Sequence, residues 1–330
     1  MTKLIEPNNA PRIVVTGACG FIGSCLINKL NSEKFENIIA VDVFDNPIKL
    51  SYLVNSKIEK QIHRDDFFDW FDENVNSVDY VIHLGAISDT TENNIELLKK
   101  YNTNYSEKLW TKCSSHNIPI IIASSAATYG NGEYGYSDEE NLIPLLQPLN
   151  LYGISKNDFD KWSLVQENKP PHWYSLKFFN VYGPNEFHKG KMASVVLHSY
   201  NQIQSCGKVC LFKSENINFK DGEQLRDFIY VDDVLDVILW FMKSKPKNGI
   251  YNVGTGKSRS FFDLAKAVFS ALNLKPNISF IDMPTYLVEK YQYFTEAKTE
   301  KLIQAGYNKK MTELEDGVRK YVEKLNDYYD

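Results

Sequence analysis

Short apolar runs alternate with helix-spaced stretches through the first half of the chain. Residues 12–16 (RIVVT) are apolar and end in a glycine-rich turn, and residues 21–30 then repeat apolar side chains at helical spacing. Further apolar runs occur at 37–43 (NIIAVDV), 79–84 (DYVIHL) and 118–124 (IPIIIAS), with a long helical stretch at 92–116. Counting 118–124 as the fifth strand, 173–178 supplies a sixth. Near-continuous apolar strands alternating with helices mean a parallel sheet covered on both faces. Right-handed crossovers leave few other topologies. The expected class is therefore α/β, a Rossmann-type doubly wound parallel sheet. Beyond residue 180 the pattern loosens. Strand-like pieces at 209–212, 227–231 and 278–281 mix with helices at 231–243, 261–272 and 313–329. This predicts a smaller mixed α/β lobe. The 330 residues suit two units at the usual ~150 residues each. The expected division is 1–179, mainly, for the sheet domain and 180–330, mainly, for the lobe, with some segments returning to the first domain.

The turn after the first strand reads Gly17-Ala18-Cys19-Gly20-Phe21-Ile22-Gly23. Between strand and helix these glycines suit a dinucleotide: Gly17 for the tight turn, Gly20 for close approach of a pyrophosphate, Gly23 for helix-to-sheet packing. Asp42 ends the second strand, the place of an acidic residue that accepts hydrogen bonds from the adenosine ribose. Asp42 favours NAD because it repels a 2′-phosphate, whereas Lys49 can neutralise one, so NADP and NAD both stay open. Asp66 and Phe67 are expected near the adenine, and Gly85 and Ala86 near the pyrophosphate and nicotinamide ribose.

The fifth strand ends in Ser124-Ser125-Ala126-Ala127, and Tyr152-Gly153-Ile154-Ser155-Lys156 follows downstream. Tyr and Lys four apart on a helix share a face. A nearby ammonium stabilises tyrosinate, so Lys156 together with the charge of a bound nicotinamide is expected to draw the Tyr152 pKa down. Such a tyrosine takes a proton from a sugar hydroxyl as hydride leaves its carbon, with Ser125 holding the same oxygen. Residues 179–195 (FNVYGPNEFHKGKMASV) carry turn formers and then His188, Lys189 and Lys191. They read either as a solvated basic turn or as a functional loop.

The net charge of −5 argues against a nucleic-acid or anionic-membrane binder. The N-terminal MTKLIEPNNAPR has no signal-peptide apolar core, and no apolar run approaches the ~20 residues of a membrane span. Five cysteines, at 19, 25, 113, 206 and 210, are odd in number and lack structural-zinc spacing. They read as reduced thiols of a cytoplasmic protein with no metal, Cys206 and Cys210 being helix-to-strand neighbours.

The segments TGACGFIG, ASSAATYG, NLYGISK, FFNVYGPNEFHKGKMASV, SEN, RDFIYVDDVLDVILWF, GIYNVGTGKSRSF and KYQYFTEA span nearly the whole chain. With them the chain resembles the extended short-chain dehydrogenase/reductase family, and within it the nucleotide-sugar epimerases that act at C6 of an ADP-linked heptose. The resemblance implies a resident oxidised NADP, oxidation of C6 to a ketone, and return of the same hydride to the other face. It also implies interconversion of the D-glycero and L-glycero epimers, a step toward lipopolysaccharide core. Tyr152 would serve one epimer and Lys189 the other. Phe21, Ile22, Val43, Leu84, Ser88, Asn102, Lys156, Val181 and Lys189 would join the glycines around the cofactor. Ser125, Asn180, Lys191, His198, Phe212, Ser214, Arg226 and Tyr291 would contact the nucleotide-sugar. Arg226 has independent merit as a diphosphate clamp, set against an ion pair with Asp227. A homo-oligomer, a pentamer, is also implied.

Several positions depart from the family pattern. Val43 replaces an Asn, Trp70 a cofactor-side Lys, Leu84 an acidic residue and Lys191 a Ser, and residues 217–225 (INFKDGEQL) are inserted. These leave open another nucleotide-sugar, such as a GDP-heptose or a UDP-hexose epimerised at C4. A dehydratase needs acid/base groups where Ala126 and Ala127 stand. A non-catalytic dinucleotide sensor would usually have lost the Tyr or the Lys.

Overall fold

The computed structural model describes residues 10–288 and 291–329. The first nine residues, where a leader would be sought, and Lys290 of the KYQYFTEA segment lie outside the described residues. Seven parallel strands form the central sheet: β1 (Ile13–Thr16), β2 (Ile38–Asp42), β3 (Lys60–His63), β4 (Tyr80–His83), β5 (Ile120–Ser125), β6 (Trp173–Phe178) and, after β7 (Asn180–Tyr182), β8 (Val209–Phe212) and β9 (Leu225–Tyr230), the late strand β10 (Gly249–Val253). Their order is β10-β6-β5-β4-β1-β2-β3. Val14, Ile39 and Val41 face one apolar cluster while Ile13, Val15, Ile38 and Ala40 face another, so helices cover both sides.

Two strands of this sheet were not separable by periodicity. β3 (KQIH) is an edge strand with two exposed residues. β10 lies far along the chain, yet Gly249 to Val253 pair with Tyr174 to Phe178. The helix Val231–Ser244 returns with it, and its Asp236 and Lys243 pair with Lys29 of the helix Phe21–Ser32 and with Glu33 at that helix's C-terminal cap. The rest of the second half holds a three-stranded sheet, β11 (Ser258–Ser260) with β9 and β7, and a pair, β12 (Ile278–Ile281) with β8. Cys206 ends the helix Val195–Cys206 and Cys210 lies in β8. Among the described residues no helix is long and apolar enough to cross a membrane.

The long helical stretch at 92–116 is Ile95–Leu98, a π-helical turn Lys99–Asn104, and Tyr105–Ser115. The wider turn carries Asn102, which is fully buried.

Candidate active site

A cleft of about 680 Å³ runs along the carboxyl ends of β1, β2, β4, β5 and β6. That is where strand order reverses, the usual ligand crevice of an open α/β sheet. Gly17 has φ +68, and a Cβ there would stand 2.7 Å from the Gly85 nitrogen, so only glycine lets the two loops meet. A Cβ on Gly23 would collide with the Gly17 carbonyl.

The helix Phe21–Ser32 begins at Gly20 with no side-chain cap and no acidic residue in its first turn. The helices Leu151–Val165 and Val195–Cys206, by contrast, are capped by Asn150 and Ser194. An uncapped N-terminus on the cleft is suited to a pyrophosphate. Asp42 is buried, and its oxygens accept the Cys19 amide at 2.9 Å and the Val43 amide at 2.8 Å. Carboxylate oxygens have further lone pairs for ribose hydroxyls. Lys49 Nζ stands 3.8 Å from Asp42. These residues fit a dinucleotide.

Gly17, Gly20, Phe21, Ile22, Gly23, Asp42, Val43, Lys49, Leu84, Gly85, Ala86, Ser88, Lys156, Val181 and Lys189 all line the cleft. Three cofactor expectations do not. Phe67 is fully buried, its ring packed on Phe68, Trp70, Phe71 and Tyr105. Asp66 is an exposed residue at the head of the helix Phe67–Asn74. Arg64, Tyr101 and Tyr105 line the cleft in this part of the fold instead, with the Arg64 guanidinium 3.7 Å from the Tyr101 ring. Arg64 follows β3, so the missed strand hid it. Asn102 stands behind the wall. It accepts from the Ile87 amide at 2.8 Å and donates to the Ile87 carbonyl and to Ser155 Oγ, each at 2.9 Å. It thereby ties the 84–90 loop to the helix that carries Tyr152 and Lys156.

Asn150 Oδ1 caps the Gly153 amide at 2.8 Å and sets the start of the helix that carries Tyr152 and Lys156. Ser125 ends β5 and its hydroxyl bonds Tyr152. Lys156 Nζ donates to the Ala123 carbonyl at 2.9 Å. Burial lowers the Lys156 pKa to about 8, opposed by the charge of Asp160. At Tyr152 the protein's own groups push the other way. Burial pushes its pKa up, the Ser125 hydrogen bond pulls it back, and Asp160 pushes it up again. The protein's own groups therefore favour the protonated phenol at Tyr152.

Asp160 was missed by sequence reasoning, although it sits one turn beyond Lys156 on the same face. It is fully buried and accepts from Ser124 Oγ, Ser175 Oγ and Lys177 Nζ, each at 2.6 Å. Removing one partner of such a pair typically costs ~3–5 kcal/mol.

The 183–194 loop is anchored on all sides. Cys25 Sγ meets the Pro184 carbonyl at 3.4 Å, and Asn185 Nδ2 donates to Ser24 Oγ at 3.0 Å. Buried Glu186 accepts the Ser194 amide at 2.6 Å and its hydroxyl at 2.5 Å. The His188 amide donates to Tyr52 Oη at 3.3 Å, and Phe187 stacks on Tyr328. Lys189 is thus presented from a braced loop, its Nζ 5.4 Å from the Phe21 ring. Burial lowers its pKa and Glu186 raises it.

Of the expected substrate contacts, Ser125, Asn180, Arg226 and Tyr291 line the cleft. Asp227 does not pair with Arg226: its carboxylate accepts amides of Thr255, Gly256 and Ala297. Lys191 is exposed, and its carbonyl meets His198 Nε2 at 3.3 Å. Phe212 ends β8 and Ser214 follows it. None of these four lines the cleft. Gln292 and Phe261 do; both lie in the segments KYQYFTEA and GIYNVGTGKSRSF that carry the resemblance, yet neither was expected in the site.

Comparison with known proteins follows this geometry closely. Residues 13–254 match the model of the NAD dependent epimerase/dehydratase family. The ADP-L-glycero-D-manno-heptose-6-epimerase of Fusobacterium nucleatum is 47% identical, covering 94% of this chain and 97% of its own. The crystal structure of the Helicobacter pylori ADP-L-glycero-D-manno-heptose-6-epimerase superimposes with a TM-score of 0.82 at 29% identity, covering 99% of each chain. A UDP-N-acetylglucosamine 4-epimerase from Methanobrevibacter ruminantium also reaches 0.82, at 23% identity, over 96% of this chain and 99% of that one. Equal superposition on enzymes with different substrates shows that the fold does not select the reaction. By its matched residues, fold and cleft, this chain belongs to the NAD dependent epimerase/dehydratase family.

Proposed function

We propose that this enzyme interconverts ADP-D-glycero- and ADP-L-glycero-D-manno-heptose at C6. The observation that carries the proposal is that Ser125, Tyr152 and Lys156 from the sheet domain and Lys189 from the braced loop line one cleft. The 47% identity to an enzyme of that name supports the substrate. Bound in the cleft, an oxidised nicotinamide would accept a hydride from C6 and give it back to the other face of the ketone. Ser125 and Tyr152 hold the C6 oxygen, and Tyr152 moves its proton. Lys156 anchors the tyrosine end of the site at the Ala123 carbonyl. Lys189 supplies the second proton-carrying group, so each epimer has its own partner. Arg226 holds the diphosphate and Asn180 the sugar. Lys191, His198, Phe212 and Ser214 reach substrate only if the nucleotide extends past the cleft walls.

NADP is the form we assign, because Lys49 stands beside Asp42 and Arg64 adds a second cation to the cleft. Phe67, packed on Tyr105, and Asn102, bonded to Ile87, support that site from behind. A cytoplasmic location accords with the five free cysteines; the homo-oligomer, a pentamer, rests on resemblance, and light scattering gives its mass.

The deciding experiment offers ADP- and GDP-linked heptoses and UDP-hexoses to the purified protein and reads the epimer by NMR. Interconversion of the ADP-heptose is expected. Turnover of another nucleotide-sugar alone would overturn the substrate, and absence of acid-releasable dinucleotide would overturn the hydride cycle.

A further inference from the structure

The inserted segment at 217–225 is a built loop. The Ser214 amide donates to Asp221 Oδ1 at 2.9 Å and the Gly222 amide to the Phe212 carbonyl at 3.2 Å. Gln224, 1% exposed, donates to the Phe212 and Lys213 carbonyls at 3.4 and 3.3 Å. The Phe262 amide donates to the Gly222 carbonyl at 2.9 Å.

This loop sets Phe219 against Tyr293, ring centres 5.5 Å apart. Tyr293 meets Tyr291 edge to face at 5.2 Å. Tyr291 in turn lies 5.1 Å from the Arg226 guanidinium. Tyr293 is held from two further directions. Its hydroxyl accepts the Glu215 amide at 3.2 Å and its carbonyl accepts the Leu225 amide at 2.9 Å. Arg226 donates to the Leu225 carbonyl at 2.8 Å and to the Gln292 carbonyl, and Gln292 donates to the Gly130 carbonyl at 2.6 Å. Arg226, Tyr291 and Gln292 line the cleft, whereas Phe219 and Tyr293 stand behind them.

We propose that Phe219 is a positioning residue for the nucleoside-diphosphate end of the cleft, acting through Tyr293 on Tyr291 and Arg226. The proposal rests on the reading of Arg226 and Tyr291 as nucleotide-side contacts. Arg226 is buried, so the direction in which its guanidinium faces depends on the groups packed around it. Phe219 contributes the outermost ring of that packing, and it comes from the insertion. Ile217, two residues earlier, is fully exposed, so the loop turns one apolar side chain outward and one inward. An aromatic pair of this kind changes an equilibrium by about two- to tenfold.

The test titrates ADP into cofactor-loaded enzyme by calorimetry and measures steady-state kinetics on the nucleotide-sugar. Phe219→Ala is expected to weaken ADP and raise KM by the same factor, about two- to tenfold, with kcat, bound dinucleotide and thermal midpoint retained. Phe219→Tyr is expected to restore both. Phe219→Leu, which keeps apolar volume without the ring, shifts ADP affinity in the same direction and serves if the alanine variant does not fold. Tyr293→Phe keeps the ring and is expected to bind ADP nearly as the parent does. Unchanged ADP affinity and KM in both Phe219→Ala and Phe219→Leu would overturn the relay. So would a fall in kcat at constant affinity. If the parent enzyme itself does not bind ADP, the reading of Arg226 and Tyr291 falls and the relay falls with it.

Discussion

Two lysines reach the cleft by different means. Lys156 stands on a capped helix, four residues from Tyr152, and its anchor is the Ala123 carbonyl of the neighbouring strand. Lys189 stands on a short turn held by Ser24, Cys25, Tyr52 and Tyr328, which are remote in sequence, and by Ser194. The first is placed by local spacing and one strand contact. The second is placed by tertiary contacts alone. Burial lowers both pKa values, and a carboxylate opposes it in each case, Asp160 for Lys156 and Glu186 for Lys189. One electrostatic pattern is thus built on two scaffolds of different sequence locality.

The comparison is broken most severely at its fixed side. Tyr152→Phe is expected to lower interconversion by roughly 10²–10⁴-fold, with dinucleotide still bound and the thermal midpoint preserved. Turnover near the parent value would remove Tyr152 from the chemistry. On the loop side, Lys189→Ala is expected to cost on the order of 10²-fold in epimerisation, with dinucleotide retained and monitored by acid release. Full-rate epimerisation would reduce Lys189 to a binding group.

A smaller effect separates the sheet half by pH. His83 lies buried between Thr16 Oγ1 at 2.6 Å and Ser106 Oγ at 2.9 Å. Burial, and then the charge of Lys156, lower its pKa from 6.5 to about 3. The unfolded chain therefore takes up the proton first. The stabilisation is complete above 6.5 and is lost as pH falls toward 3. Denaturant titrations should show about 2 kcal/mol lost from this group between pH 6.5 and 5. His83→Gln should flatten that decline, and an unchanged slope would contradict the assignment.

The smallest expected effect sharpens the loop side. Glu186 holds the Lys189 pKa up. Glu186→Gln should move the Lys189 limb of the pH–rate profile to lower pH, leaving the acidic limb in place. A shift upward would show that Glu186 does not face Lys189 in the working enzyme.

The legibility of the site follows the same division. The glycine turn, Asp42, Ser125 and the Tyr152–Lys156 pair were readable because each depends on spacing within one strand–turn–helix unit. Asp160 also had a local signal, one turn past Lys156, that went unread. Arg64 was not readable, because β3 is a short polar edge strand whose burial is settled by its neighbour β2. Phe67 was expected at the adenine, yet it turns inward, since an aromatic side chain follows the nearest cluster of rings and periodicity does not say which side that cluster occupies.

By itself, the sequence determined the parallel sheet, its glycine-rich ligand turn and the Tyr152–Lys156 face. Those features depend on the period of a strand or a helix and on backbone demands that few residues meet. Tertiary structure alone decided that β10 joins the sheet, that 183–194 is a braced loop rather than a solvated basic turn, and that Arg226 faces the cleft instead of Asp227. Each of these depends on contacts between segments far apart in the chain, where closure and packing select one arrangement from several that local preference permits.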